Sequence, residues 1–214
     1  MRENRRALSI RNLVAGCIDV LSNRTVFGYT LSMGFIFGAF LSYLGASRQV
    51  FQNTLGAGDM FAIYFGVAAL AVGAASFFNS LLVMRLGMRL LTHSALVALV
   101  LLSGVFLAVF HSFDGQPSLS LFMTWQLAAF FCVGILFGNL NALAMEPLGH
   151  IAGLGAALVG SISTFTSLPF GWLIGQMYEG TVMPLVGGFF SLGLAALITA
   201  RWAERVFPFR APPP

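Results

Sequence analysis

Charged residues stand so far apart in this chain that the intervals between them dictate what it can fold into. Arg24 and Arg48 enclose 23 uncharged residues, Asp59 and Arg85 enclose 25, Arg89 and Asp114 enclose 24, and Glu179 and Arg201 enclose 21. A charged side chain is costly in hydrocarbon and about 20 apolar residues in α-helix cross a bilayer, so each interval fits one transmembrane helix. Asp114 to Glu146 and Glu146 to Glu179 are longer, with 31 and 32 uncharged residues. Gly115, Gln116 and Pro117 mark a loop in the first of these, and Pro147, Leu148, Gly149 and His150 mark one in the second. The spacing predicts helices over 26–46, 60–84, 90–110, 119–143, 151–175 and 183–200. The fold class is all-α integral membrane with six transmembrane helices in a domain spanning 26–200. A closed barrel is excluded, because the runs are too long and lack the alternation of a barrel strand.

Composition closes off the other classes. Of 214 residues, 58% are hydrophobic and 8% charged, against about 25% charged in an ordinary soluble domain. Any function therefore sits in or at the bilayer. All eleven basic residues are Arg, against seven acids, and they flank apolar spans instead of forming one stripe, so no nucleic-acid partner is implied. Cys17 and Cys132 lie far apart, which argues against a disulfide framework or a zinc site. Asp19 and Arg24 interrupt the first apolar stretch, which disfavours a cleaved signal peptide. No nucleophile, base and metal constellation is visible, so neither an enzyme nor a cofactor is expected.

Six spans put both termini on one side of the membrane. If positive residues stay in the cytoplasm, Arg2, Arg5, Arg6, Arg11, Arg24, Arg85, Arg89, Arg201, Arg205 and Arg210 are inside and Arg48 alone is outside. Within the basic segment 1–25, Ile10, Leu13, Val14, Cys17, Ile18 and Leu21 recur at helical spacing, predicting an amphipathic helix flat on the cytoplasmic surface. Pro208, Pro212, Pro213 and Pro214 make 201–214 a Pro-rich cytoplasmic tail. Trp125, Trp172 and Trp202 lie toward span ends, as interfacial anchors do.

A repeat is visible at an offset of 100 residues. Gly34, Phe37 and Gly38 in the first span recur as Gly134, Phe137 and Gly138 in the fourth. Three spans separate the copies, so matching helices run in opposite directions, the pattern of an inverted three-plus-three repeat.

The run Gly34-Phe35-Ile36-Phe37-Gly38-Ala39-Phe40-Leu41-Ser42-Tyr43, followed by Ser47, Val50, Phe51 and Gln52, resembles the seventh helix and following loop of bicyclomycin-resistance-type drug/proton antiporters of the major facilitator superfamily. Asn141 to Gly153, around Glu146-Pro147-Leu148-Gly149-His150, is similar to their tenth-to-eleventh helix junction. Arg5, Arg6, Leu8 and Ser9 resemble their central cytoplasmic loop. The resemblance covers the second half of a twelve-helix architecture and implies the C-terminal six-helix half of such a transporter. Arg85-Leu86-Gly87-Met88-Arg89 looks like a degenerate form of the superfamily's cytoplasmic loop motif G-x-x-x-D-R-x-G-R-R. Ser80 stands for its first Gly and Met84 for its Asp, so Arg85, Gly87 and Arg89 lack the acidic partner through which that loop clamps neighbouring helices.

A proton-coupled transporter needs an ionisable group in the membrane or in a cavity open to it, and no span carries one near its middle. Glu146 and His93 fall at cytoplasmic helix ends, and Pro147 separates Glu146 from His150. Candidate cavity residues are therefore uncharged or aromatic. Ser161, Thr164, Ser167 and Gly171 form a small polar stripe on a helix that also carries Pro169, suited equally to close helix packing. Gln126, Asn139 and Asn141 each need a hydrogen-bond partner if buried. Phe40, Tyr43 and Phe137 are possible walls of an apolar cavity.

The resulting expectation is a half-size transporter that exports small amphipathic compounds or drugs when its six helices pair with a second copy or a complementary six-helix half. The first, second, fourth and fifth helices would turn one face toward that partner. A transport-inactive structural subunit of another membrane complex is the alternative, and a piece of a longer gene product is a third. The bacterial inner membrane is the expected location.

Overall fold

The computed structural model describes residues 10–204, with side chains described from Gly16 onward. Helix α1 (Ile10–Ser22) precedes six long helices: α2 (Arg24–Gln49), α3 (Phe61–Leu86), α4 (Met88–His111), α5 (Leu119–Met145), α6 (Ala152–Gln176) and α7 (Met183–Glu204). These six run 22 to 27 residues. At 1.5 Å rise per residue, each is long enough to cross roughly 30 Å of hydrocarbon. The protein is an integral membrane helical bundle. Residues 1–9 and 205–214, including most of the predicted tail and the basic start, lie outside the described residues.

The helix ends follow from local chemistry. Asn23 starts α2, its side-chain oxygen accepting from the amides of Thr25 at 3.1 Å and Val26 at 3.2 Å, which satisfies two of the N–H groups a helix start leaves free. Gly87 alone joins α3 to α4 with φ +79°, a backbone that a side chain would strain. After α5 the chain tightens into a 3₁₀ stretch, Glu146–Ile151, with Pro147 near its start. The predicted loop there is thus a tighter helix. At the other end a π-helical turn, Val50–Thr54, extends α2 past its expected stop. The amide of Val182 donates to the Gly115 carbonyl at 2.9 Å and joins the α4–α5 loop to the α6–α7 loop.

Helix α7 also runs four residues into the segment read as tail. The reason is tertiary. Ala203 is buried, the Arg24 side chain donates to the Trp202 carbonyl at 2.7 Å, and Glu204 is held by Tyr29 and His93.

Helices α2 and α5 occupy the middle and touch each other. Helix α2 packs on α6 and α7, α5 packs on α3 and α4, and α4 packs on α7. The largest fully buried side chains are mostly aromatic, among them Trp125, Tyr29, Tyr43, Phe51, Phe110, Phe122 and Phe189. Trp125 is therefore a core residue and not an interfacial anchor. Its indole N–H donates to the Ser103 hydroxyl at 3.4 Å, which answers the one polar atom that would otherwise keep it at the interface. Trp172 and Trp202 are exposed. Helix α3 differs from the rest, burying only Ala68 and Ala75 and leaving Ile63, Leu70, Phe77, Phe78, Leu81 and Met84 open.

Candidate functional site

Where α2 and α5 meet, the repeated phenylalanines and their neighbours bring aromatic side chains together. Phe37 and Phe137 are edge-to-face at 6.1 Å between centroids, and Phe40 meets Phe137 at 5.5 Å and Phe130 at 5.6 Å. Tyr43, one turn beyond Phe40, stacks on Phe65 of α3 at 5.8 Å and meets the Phe130 edge at 4.7 Å. Phe189 of α7 closes the far side of Phe130 at 6.3 Å. Aromatic pairs at these separations hold their geometry through quadrupole contacts as well as through burial.

Two polar side chains, one on α2 and one on α5, are buried without hydrogen-bond partners among the described residues. Tyr43 is 1% exposed and its hydroxyl bonds to nothing. Gln126, one turn before Phe130 on α5, is 0% exposed, and neither the nitrogen nor the oxygen of its carboxamide has a partner. Leaving a buried polar group unsatisfied costs about 1–3 kcal/mol. Neighbouring Trp125 shows how the same helix satisfies a polar atom when packing alone is at stake.

The other sequence candidates separate from this pair. Asn139 is buried and forms a reciprocal amide pair with Asn79 of α3, the two N–H···O bonds measuring 2.8 and 3.0 Å. Asn141 is exposed. The hydroxyl stripe on α6 is split between faces. Ser161 and Thr164 are exposed, while Ser167 is buried against α2 with Gly171. Thr164 and Ser167 donate to carbonyls of their own helix, those of Gly160 and Thr164, both at 2.8 Å. Such bonds satisfy a hydroxyl without a partner helix.

At the arginine-rich end, Arg85 and Gly87 are exposed, and Arg89 reaches Glu146 at 3.2 Å. Both side chains of that pair are about half exposed, so the bond is weak. Sequence reasoning missed three hydrogen-bonding residues, Asn79, Glu204 and Tyr29. Asn79 was visible as the lone amide of an otherwise apolar span. Glu204 and Tyr29 carried no signal, because nothing in their spacing announces that Tyr29 and His93 both meet Glu204.

No protein-family model and no solved structure matches the chain. Among curated proteins it is 27% identical over 188 residues to YdgK, an uncharacterized MFS-type transporter of Bacillus subtilis, across 86% of this chain and 45% of that protein. It is 26% identical over 202 residues to a bicyclomycin resistance protein homolog of Haemophilus influenzae, across 92% of this chain and 48% of that protein. The chain spans about half the length of the curated relatives it matches. The first of these is a transporter by its printed description, not an enzyme.

Proposed function

Because this chain is a partial-length homologue of MFS-type transporters, we propose that it acts as one six-helix half of a transporter exporting small amphipathic compounds. The observation that carries this reading is that the Tyr43 hydroxyl on α2, beside the Phe130 ring, and the Gln126 carboxamide on α5, one turn before Phe130, are both buried without polar partners among the described residues. Such a site suits a ligand with an apolar body and a few hydrogen-bonding groups.

The contact pattern supports an inverted three-plus-three arrangement. Exchanging α2 with α5, α3 with α6 and α4 with α7 turns the α2–α6 contact into α5–α3 and α2–α7 into α5–α4, all of which occur. The repeated glycine follows the same exchange. Gly34 lies against Thr166 of α6, and Gly134 lies against Val72 and Ala75 of α3. Halves built this way rock against a second half around a midplane site. The exposed faces of α3 and α6, the latter carrying Ser161 and Thr164, are where a second copy or a complementary half would sit. The arginine-rich end would face the cytoplasm of a bacterial inner membrane.

Bicyclomycin susceptibility of cells producing the chain, alone and with candidate second halves, tests this. Protection should fall at least about threefold in Tyr43→Phe and Gln126→Leu, each of which removes one hydrogen bond worth about 1 kcal/mol. Unchanged susceptibility in every pairing, together with stoichiometric recovery in an unrelated membrane complex, would favour the structural-subunit reading instead.

A further inference from the structure

Helices α3 and α4 leave a groove between them on the face of α5. A cavity of about 740 Å³, open toward the lipid, is lined by residues of α3 within 67–74, of α4 within 98–102 and of α5 within 127–132. Every lining side chain is aliphatic or aromatic except the Cys132 thiol. Leu127, Ala128, Phe131 and Cys132 keep partial exposure there, while their neighbours on α5 are buried. Gly87 alone joins α3 to α4 at the arginine-rich end, so the two helices meet there, and the groove lies in the half where they part.

The depth of the groove is the same along all three helices. Its lining residues lie 6 to 13 positions from the Phe61 end of α3, 9 to 13 from the His111 end of α4 and 8 to 13 from the Leu119 end of α5. At 1.5 Å rise per residue this is about 9–20 Å below those helix ends. Helices of 24 to 27 residues have their midpoints about 18–20 Å below the same ends. The groove therefore occupies the acyl region of the leaflet opposite the arginines and stops near mid-depth. Exposed hydroxyls stand above it. Ser120 and Thr124 precede Ala128 at four-residue spacing on one face of α5, and Ser112 is at the end of α4. Hydroxyls over an apolar channel match a glycerolipid, whose ester groups lie above its chains.

We propose that the groove holds one acyl chain of a phospholipid from the leaflet opposite the arginines, and that this chain packs α3 against α4 and α5. An apolar cavity of this kind stays dry, and a gap left empty forfeits the dispersion contacts of its walls. Such contacts hold helices together in lipid, and α3, which buries only Ala68 and Ala75, has few of them within the bundle. A polar compound would find no hydrogen-bonding partner in the groove. A helix of a second copy needs a track through the full thickness of the membrane, and this one ends near mid-depth, on the side where α3 and α4 are joined. The groove shares no residue with the Tyr43 and Gln126 site, so the bound lipid stands independently of the export reading.

The test uses the full chain in phosphatidylethanolamine vesicles containing a small fraction of phosphatidylcholine with a diazirine at the middle of one acyl chain. After irradiation, adducts mapped by peptide mass spectrometry should concentrate on 67–74, 98–102 and 127–132 over the exposed α6 face around Phe165 and Leu168. Native mass spectra in mild detergent should show a single retained phospholipid. Ala98→Leu with Ala128→Leu fills the groove from the α4 wall and the α5 floor, and should lose both the adducts and the retained lipid. Ala156→Leu adds the same bulk on the exposed face of α6 and should keep both. Adducts spread evenly over the exposed apolar surface overturn the proposal without any variant. So does a retained lipid that persists in the folded, filled variant. Capture of two copies by a disulfide through Cys132 in Cys17→Ser protein would overturn it too, by giving the groove to a second copy.

Discussion

The contacts that hold α2 and those that hold α3 are built very differently. Along α2, glycine after glycine admits a neighbour. A β-carbon on Gly28 would stand 2.7 Å from the Ala203 Cβ, one on Gly34 would stand 2.7 Å from the Thr166 Cβ and 3.0 Å from the Ser163 carbonyl, and one on Gly171 of α6 would stand 2.7 Å from the Leu41 Cβ. Helix α3 meets α5 closely at Gly134, where an added β-carbon would stand 2.6 Å from the Val72 carbonyl, and is then tied by Asn79 and Asn139. Lipid supplies no hydrophobic drive for helices to associate, so close backbone approach and polar pairs decide which helices are held. Helix α2 is fixed along its length. Helix α3 buries only Ala68 and Ala75, and most of its surface is left for lipid or a partner.

The most damaging way to break the comparison is to remove the glycine of the sparser contact. Gly134→Leu pushes a side chain into backbone that has no soft atom to yield, and should destabilise the fold by about 3 kcal/mol or more. Loss of the monodisperse species in detergent gel filtration would register it. Gly138→Ala, at the next repeated glycine, meets nothing within 4 Å and should leave the profile unchanged. Equal effects at the two sites would mean that the helices are not held by close approach.

A smaller effect is expected at the amide pair. Asn139→Leu leaves the Asn79 carboxamide without its partner and should cost about 1–2 kcal/mol, while the double change Asn79→Leu with Asn139→Leu should recover part of that loss. Thermal unfolding of the four proteins of this cycle gives the coupling, and strict additivity would mean that the pair does not hold α3. The smallest effect belongs to the half-exposed Arg89–Glu146 pair. Arg89→Ala should shift stability by no more than about 0.5 kcal/mol in the same assay.

The candidate cavity residues illustrate how far residue type can be read without a fold. Gln126 and Asn139 are both amides on α5, and both are buried. In sequence they look alike. In the fold Asn139 pairs with Asn79 and is consumed by packing, whereas neither polar atom of the buried Gln126 carboxamide has a hydrogen-bond partner among the described residues. The hydroxyls of α6 were equally ambiguous, because a periodic stripe does not say which of its members turns inward. Ser167 does, and Ser161 does not. Trp125 was misjudged because its position in the span suggested an interface, while its partner Ser103 lies on another helix.

By itself the sequence determined that this chain forms long apolar helices in a membrane, since the cost of charge in hydrocarbon acts on each side chain wherever its neighbours are. Local chemistry likewise set several helix ends, at Asn23, Gly87 and Pro147. Only the tertiary structure decided which polar groups find one another. Tyr29, His93 and Glu204 stand 64 and 111 residues apart along the chain and meet because α2, α4 and α7 end together. A hydrogen bond depends on separations of a few tenths of an ångström, and those are set by the packing of whole helices.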